Sequence, residues 1–124
     1  MADPWPREIR LSKDRRTLTV TFDNTESHAL PAEYLRVFSP SAEVQGHSPE
    51  QRVTVGGKAA VEILKVEPVG NYAVRLNFDD LHNTGIFTWS YLRKLGEEHA
   101  GRWAGYLGEL EAKGLSREPA ARRR

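Results

Sequence analysis

No cysteine occurs anywhere in the 124-residue sequence, and that absence removes several chemistries at once. A disulfide scaffold, a thiolate nucleophile, a zinc–cysteine site and a cysteine-ligated iron–sulfur cluster all need a group this chain lacks. Any metal would have to be held by His, Asp or Glu. Long apolar runs are missing too, and nothing approaches the roughly 18 consecutive apolar residues of a membrane-spanning helix. The N-terminal Met1-Ala2-Asp3-Pro4-Trp5-Pro6 has neither a basic region nor an apolar one. It does not read as a secretory signal, and the expected location is cytoplasmic.

An excess of one charge is also absent, with a formal net charge of +1. Four arginines and one glutamate between Leu115 and Arg124 supply a local +3, which leaves about −2 on the remaining body. A near-neutral body fits a nucleic-acid surface poorly, because such surfaces carry a basic patch or stripe. Residues 114–124 read as a disordered, solvated basic tail. Residues 1–113 have the size of one domain with one modest core.

What is present is patterning. Leu18, Val20 and Phe22 alternate with Thr17, Thr19 and Thr21, the period of a strand with one buried face. Strands are predicted near 9–13, 17–23, 52–55, 61–66 and 72–78, with a turn over 25–28 and a loop over 39–51. Pro31 suits the first turn of a short helix over 30–36. A short extended piece at Ile86-Phe87 leads into a helix near Thr88. The last helix, about 98–113, places Trp103, Tyr106, Leu107 and Leu110 on one face, with Gly101, Gly105, Gly108 and Ala112 almost opposite. The fold class expected is α+β: a small, mostly antiparallel sheet with the C-terminal helix packed on it.

Few motifs carry chemistry. Gly56-Gly57-Lys58 is followed by Ala59 and then a strand, so it lacks the P-loop frame and reads as a turn. No serine lies in G-x-S-x-G. Trp89, Tyr91, Leu92 and Leu95 share a helical face and read as core, whereas Trp5 either seals the core edge or docks to a partner. His28, in a turn, and His99, at a helix start, read as surface residues. His47 and His82 sit in polar loops beside Glu43 and beside Asp79 and Asp80. Two imidazoles and a carboxylate could bind Zn²⁺ or Fe²⁺, but nothing in the spacing requires the two loops to meet.

Four blocks in order extend the reading: 30–36 (LPAEYLR), 39–47 (SPSAEVQGH), 69–74 (VGNYAV) and 82–93 (HNTGIFTWSYLR). Together they resemble the DUF971 family, the gamma-butyrobetaine hydroxylase-like N-terminal domain, from about Trp5 to Leu110. The resemblance implies an accessory domain whose chemistry is done by a neighbour. Such domains stand alone in bacteria, precede the catalytic domain of carnitine-pathway 2-oxoglutarate dioxygenases, or follow Mrp-type ATPases that carry iron–sulfur clusters. It also implies that the three-cysteine, one-histidine zinc site of some relatives maps here to Ser39, Ser41, Val44 and His82. With one ligand of the four kept, that site is expected to be absent. Leu81 stands where the family commonly has glycine, which brings the local turn into question, because leucine reaches φ > 0 only with strain.

Two functions follow. One is a stand-alone, non-catalytic module, monomeric or weakly dimeric, that binds a protein partner of the iron–sulfur ATPase or metal-dependent enzyme class, without nucleic acid or membrane. The alternative is a small Fe- or Zn-binding protein with weak metal-dependent chemistry, its ligands drawn from His82, His47, Asp80 and Glu43. The resemblance also implies that the 39–47 loop lies against the 79–85 turn, because the family's zinc site draws ligands from both segments, and the second function depends on that contact.

Overall fold

The computed structural model describes residues 4–46 and 49–119. His47 therefore lies outside the described residues, as does the Arg122-Arg123-Arg124 end, and the expectations placed on them are not addressed by it. Two three-stranded antiparallel sheets form, β1 (Pro6–Leu11), β2 (Thr17–Phe22) and β3 (Ser27–Pro31) in one, β4 (Ile63–Val69), β5 (Ala73–Phe78) and β6 (Ile86–Thr88) in the other. Between them lie the short helices α1 (Ala32–Val37) and α2 (Ala42–Gln45), and after them α3 (Trp89–Glu97) and α4 (His99–Ala112). The fold is α+β with a C-terminal helix, as expected, but with two small sheets in place of one.

The alternation in β2 does what its period requires. Leu18, Val20 and Phe22 are wholly buried while the threonines between them are half-buried. Val74, Leu76 and Phe78 of β5 turn into the same core, which α1, α3 and α4 complete with Tyr34, Leu35, Leu92, Leu95, Tyr106 and Leu110. Burying each such side chain contributes about 1.5–3 kcal/mol. The β1–β2 hairpin loop joins the sheets: the Arg15 carbonyl accepts the Ile63 N–H at 2.8 Å, and the Arg15 guanidinium donates to the Leu64 carbonyl at 2.8 Å.

Four readings are corrected. Residues 27–28 are not turn but the start of β3, with Val20 opposite His28. This strand carries Ser, His, Ala and a terminal Pro31, and tolerates them because it lies at a sheet edge. Residues 52–55 form no strand. Side chains of α4 and of the residue that follows it hold them instead: Tyr106 donates to the Val55 carbonyl at 2.6 Å, and Lys113 donates to Thr54 Oγ1 at 2.7 Å. In α4, Tyr106 and Leu110 are buried and Trp103 half-buried, but Leu107 is 41% exposed. The inward face is the narrower stripe His99–Trp103–Tyr106–Leu110, where His99 stacks on Tyr34 at 4.3 Å and is not a plain surface residue.

Beyond Gly114, the chain through Pro119 turns back on the body. Gly57 and Ala59 donate N–H groups to the Ser116 and Arg117 carbonyls at 2.8 and 2.9 Å. Arg117 also grips the buried Glu33 carboxylate through two hydrogen bonds of 2.8 and 2.7 Å.

Candidate functional site

The segment after α1 and the turn after β5 meet, and they bring Ser39, Ser41, Glu43, Asp80 and His82 to that junction. Ser41 caps α2 by accepting the Glu43 N–H on its hydroxyl at 3.2 Å, the usual way a short helix satisfies an orphan donor. Ser39, two residues earlier, accepts the Ser41 N–H at 3.2 Å and has no exposed surface. Across the junction the β5–β6 turn is tight. Phe78 N–H bonds to the His82 carbonyl at 3.0 Å, and His82 N–H bonds to Asp80 Oδ1 at 3.0 Å.

His82 occupies the centre. Its Nε2 lies 2.9 Å from Ser39 Oγ and its Nδ1 3.1 Å from Glu43 Oε1. Thr84 donates to the same Glu43 oxygen at 2.9 Å, and its Oγ1 lies 2.7 Å from Ser41 Oγ. One protonation state satisfies every atom. A neutral imidazole donates from Nδ1 to Glu43 and accepts the Ser39 hydroxyl at Nε2, while Ser41 donates to Thr84. Burial, with Arg36 adding to it, pushes the His82 pKa below its usual 6.5, against the opposing pull of Glu43 and Asp80. The neutral form is the one the surroundings favour.

Asp80 faces the other way. Its Oδ2 accepts Arg36 Nε at 2.7 Å and Lys58 Nζ at 2.6 Å. Burial alone would raise its pKa, but Lys58, the His82 N–H and Arg36 outweigh that and hold it at about 2. Of the four candidate ligands, then, His82 and Glu43 are brought together, Asp80 is turned onto two cations, and His47 is outside the described residues. Among the described residues no three of His, Asp or Glu are grouped so as to hold a metal ion.

Serine, histidine and carboxylate here stand in the order of a hydrolase triad. The serine is misplaced for that role, because an oxygen with no exposed surface cannot reach an acyl carbon. Gly85 closes the site further, since a Cβ at that position would collide with Ser39 Oγ.

The residues matched by the family profile of the gamma-butyrobetaine hydroxylase-like N-terminal domain run from 9 to 93 and contain this whole junction. The chain belongs to that family. Two NMR solution structures are similar to this gamma-butyrobetaine hydroxylase-like domain. One is 47% identical, covers 98% of this chain and 95% of its own, and has a TM-score of 0.82. The other is 42% identical over 98% and 90%, with a TM-score of 0.81. A crystal structure of a DUF971-family protein of unknown function from Acidithiobacillus ferrooxidans is 42% identical, covering 77% of this chain and 98% of its own, with a TM-score of 0.64. No curated protein matches the chain.

The zinc site implied by the family resemblance would draw on positions 39, 41, 44 and 82. Ser39, Ser41, Val44 and His82 are all buried. As a donor set they do not fit zinc: the two hydroxyls are neutral and hydrogen-bonded to His82 and Thr84, and valine offers no donor. The doubt over Leu81 resolves clearly. The turn keeps its left-handed residue, with Leu81 at φ 74° and 86% exposed. The roles of Arg36, Lys58 and Thr84 were not legible in the sequence. Arg36 and Thr84 lay within the recognised blocks, but no spacing rule pairs a residue with another more than forty positions away.

Proposed function

We propose that this domain is a non-catalytic accessory module that binds a protein partner in iron–sulfur or metal-dependent metabolism. One observation carries the reading: the reactive side chains are engaged with one another. Ser39, His82, Glu43 and Thr84 form a hydrogen-bonded knot, and Asp80 is neutralised by Arg36 and Lys58. What the knot holds outward is Leu81, a large apolar side chain on strained backbone, and such a residue is better suited to being covered than to hydration. The test compares the domain with Leu81→Asn, which tolerates φ > 0. Capture from native lysate with cross-linking should retain a partner whose cross-links map to 79–84, with retention falling about tenfold in the variant. Equal retention by both, or none above a scrambled-surface control, overturns the reading.

A metal-binding reading rests on the 3.1 Å approach of His82 Nδ1 to Glu43. Elemental analysis of protein purified without an affinity tag tests it. Sub-stoichiometric metal in every preparation removes it, whereas one Fe or Zn per chain that is lost in His82→Gln establishes it.

A further inference from the structure

We propose that a second site, on the opposite side of the 39–45 segment, binds a small organic oxyanion, a carboxylate or phosphoryl group, between Arg52 and Arg102. A cavity of about 490 Å³ opens there, lined by Phe38, Pro40, Gln45, Arg52, Tyr91 and Arg102. That volume lies within the range of small-molecule sites.

The two arginines define its chemistry. Their guanidinium carbons stand 5.8 and 5.5 Å from the centre of the Phe38 ring, within the range of cation–π attraction. Each is anchored by a carboxylate of the α4 region. Arg102 uses its Nε to hold Glu98 at 2.8 Å, and Arg52 uses one terminal nitrogen to hold Glu109. These contacts fix the guanidiniums without exhausting them. Among the described residues Arg102 has no further hydrogen-bond acceptor on its terminal nitrogens, and Arg52 none on its Nε or its other terminal nitrogen.

Location separates the cations from their counter-charges. The arginine side chains are only 25% and 24% exposed, whereas Glu98 and Glu109 do not line the cavity and sit in more water. Solvent screens the carboxylates more than the guanidiniums, so the cavity keeps a positive field. Tyr91 lines the same cavity: burial raises its pKa, Arg102 and Arg52 oppose the rise, and Glu98 adds to it. Planar forks with free N–H donors recognise carboxylate and phosphoryl oxygens in a bidentate manner. Anchoring by Glu98 and Glu109 reduces the side-chain entropy lost when they do so.

The experiment is an NMR titration of the ¹⁵N-labelled domain at low salt and pH 7, following the arginine Nε–Hε signals. Benzoate, phenyl phosphate, inorganic phosphate and neutral benzamide are the probes. Saturable shifts at Arg52 and Arg102 with benzoate, phenyl phosphate or both are expected, with apparent Kd below about 10 mM; which of them binds distinguishes a carboxylate from a phosphoryl ligand. Arg102→Gln should weaken binding about tenfold, and Arg102→Lys, which keeps charge without the fork, should fall between. Arg52→Gln gives the same reading should Arg102→Gln fail to fold. Shifts with benzamide equal to those with benzoate, no saturation with any anion, or undiminished binding by the folded glutamine variants overturns the proposal.

Discussion

Two faces of one short segment, 39–45, behave in opposite ways. On one side Ser39, Ser41 and Glu43 meet His82 and Thr84, and each donor finds an acceptor. On the other side Pro40 and Gln45 border a cavity in which two half-buried arginines keep unengaged donors. A group whose hydrogen-bonding capacity is satisfied internally contributes to stability and has little left for a ligand. One held in place yet under-bonded is available to recognise something. Ser39, His82, Glu43 and Thr84 therefore spend their hydrogen bonds on one another, whereas the plain-looking arginines keep donors to offer.

The comparison is most sharply tested where the scaffold side is broken. Asp80→Ala leaves Arg36 and Lys58, whose side chains are 12% and 22% exposed, without their shared carboxylate. Loss of one partner from a buried pair costs about 3–5 kcal/mol. Partial exposure places this site at the lower end, about 3 kcal/mol by urea denaturation. An effect below about 0.5 kcal/mol, the range of ordinary surface changes, would mean that the ion triad does not hold the turn. The same carboxylate makes acid stability depend on pH. Because its folded pKa is about 2 against a usual 3.8, its contribution is full above 3.8 and is lost as pH falls between those values.

Ser39→Ala comes next. It deprives His82 Nε2 and the Ser41 N–H of their partner inside the core, a loss of about 1–3 kcal/mol. The wild-type knot carries a pH signature of its own. The folded His82 pKa is depressed below 6.5, so the unfolded chain binds the proton more readily. The knot's stabilisation is present above 6.5 and declines as pH falls below it. His82→Gln should flatten that slope. An unchanged slope would show that the imidazole titrates alike in the folded and the unfolded chain.

Much of the fold was written locally in the sequence, and much of the site was not. The alternation of Leu18, Val20 and Phe22, and the periodicity of α3 and α4, are short-range signals that burial reproduces. The stretch at 52–55 resembled a strand because Val and Thr alternate there, yet its partners are side chains of α4 and of Lys113 just beyond it, and no local pattern encodes those. Leu107 was misplaced by a single position on the helical wheel, because a broad apolar arc was read where the packed stripe is narrow. The meeting of 39–43 with 82–84 was expected from the family resemblance alone. Which groups Asp80 and Glu43 would face was decided by tertiary packing.

Leu81 sharpens the comparison from the surface. Its backbone is left-handed at φ 74° and its side chain almost wholly exposed, so it contributes strain with little burial in return. Leu81→Gly should stabilise the isolated domain by about 1 kcal/mol, the left-handed penalty less the entropy of glycine. Thermal or urea unfolding reads this directly. A destabilised variant would mean that the leucine packs against something in solution.

The smallest effect expected is at the outer side of α4, where nothing is knotted and nothing is enclosed. A Cβ added at Gly101, Gly105 or Gly108 would meet nothing within 4 Å beyond the helix's own neighbouring backbone. The stripe that contact with a neighbouring helix would require is therefore open in the single chain. An interior helical glycine costs about 0.8–1 kcal/mol relative to alanine, through backbone entropy that the unfolded chain retains. Gly105→Ala should accordingly stabilise the fold by about 0.5–1 kcal/mol. The useful measurement pairs that unfolding free energy with sedimentation of wild type and variant at matched concentration. A gain in stability with unchanged mass assigns the stripe to solvent. A loss of dimer in the variant would make it a contact surface, because the added methyl would then stand where a second backbone had approached.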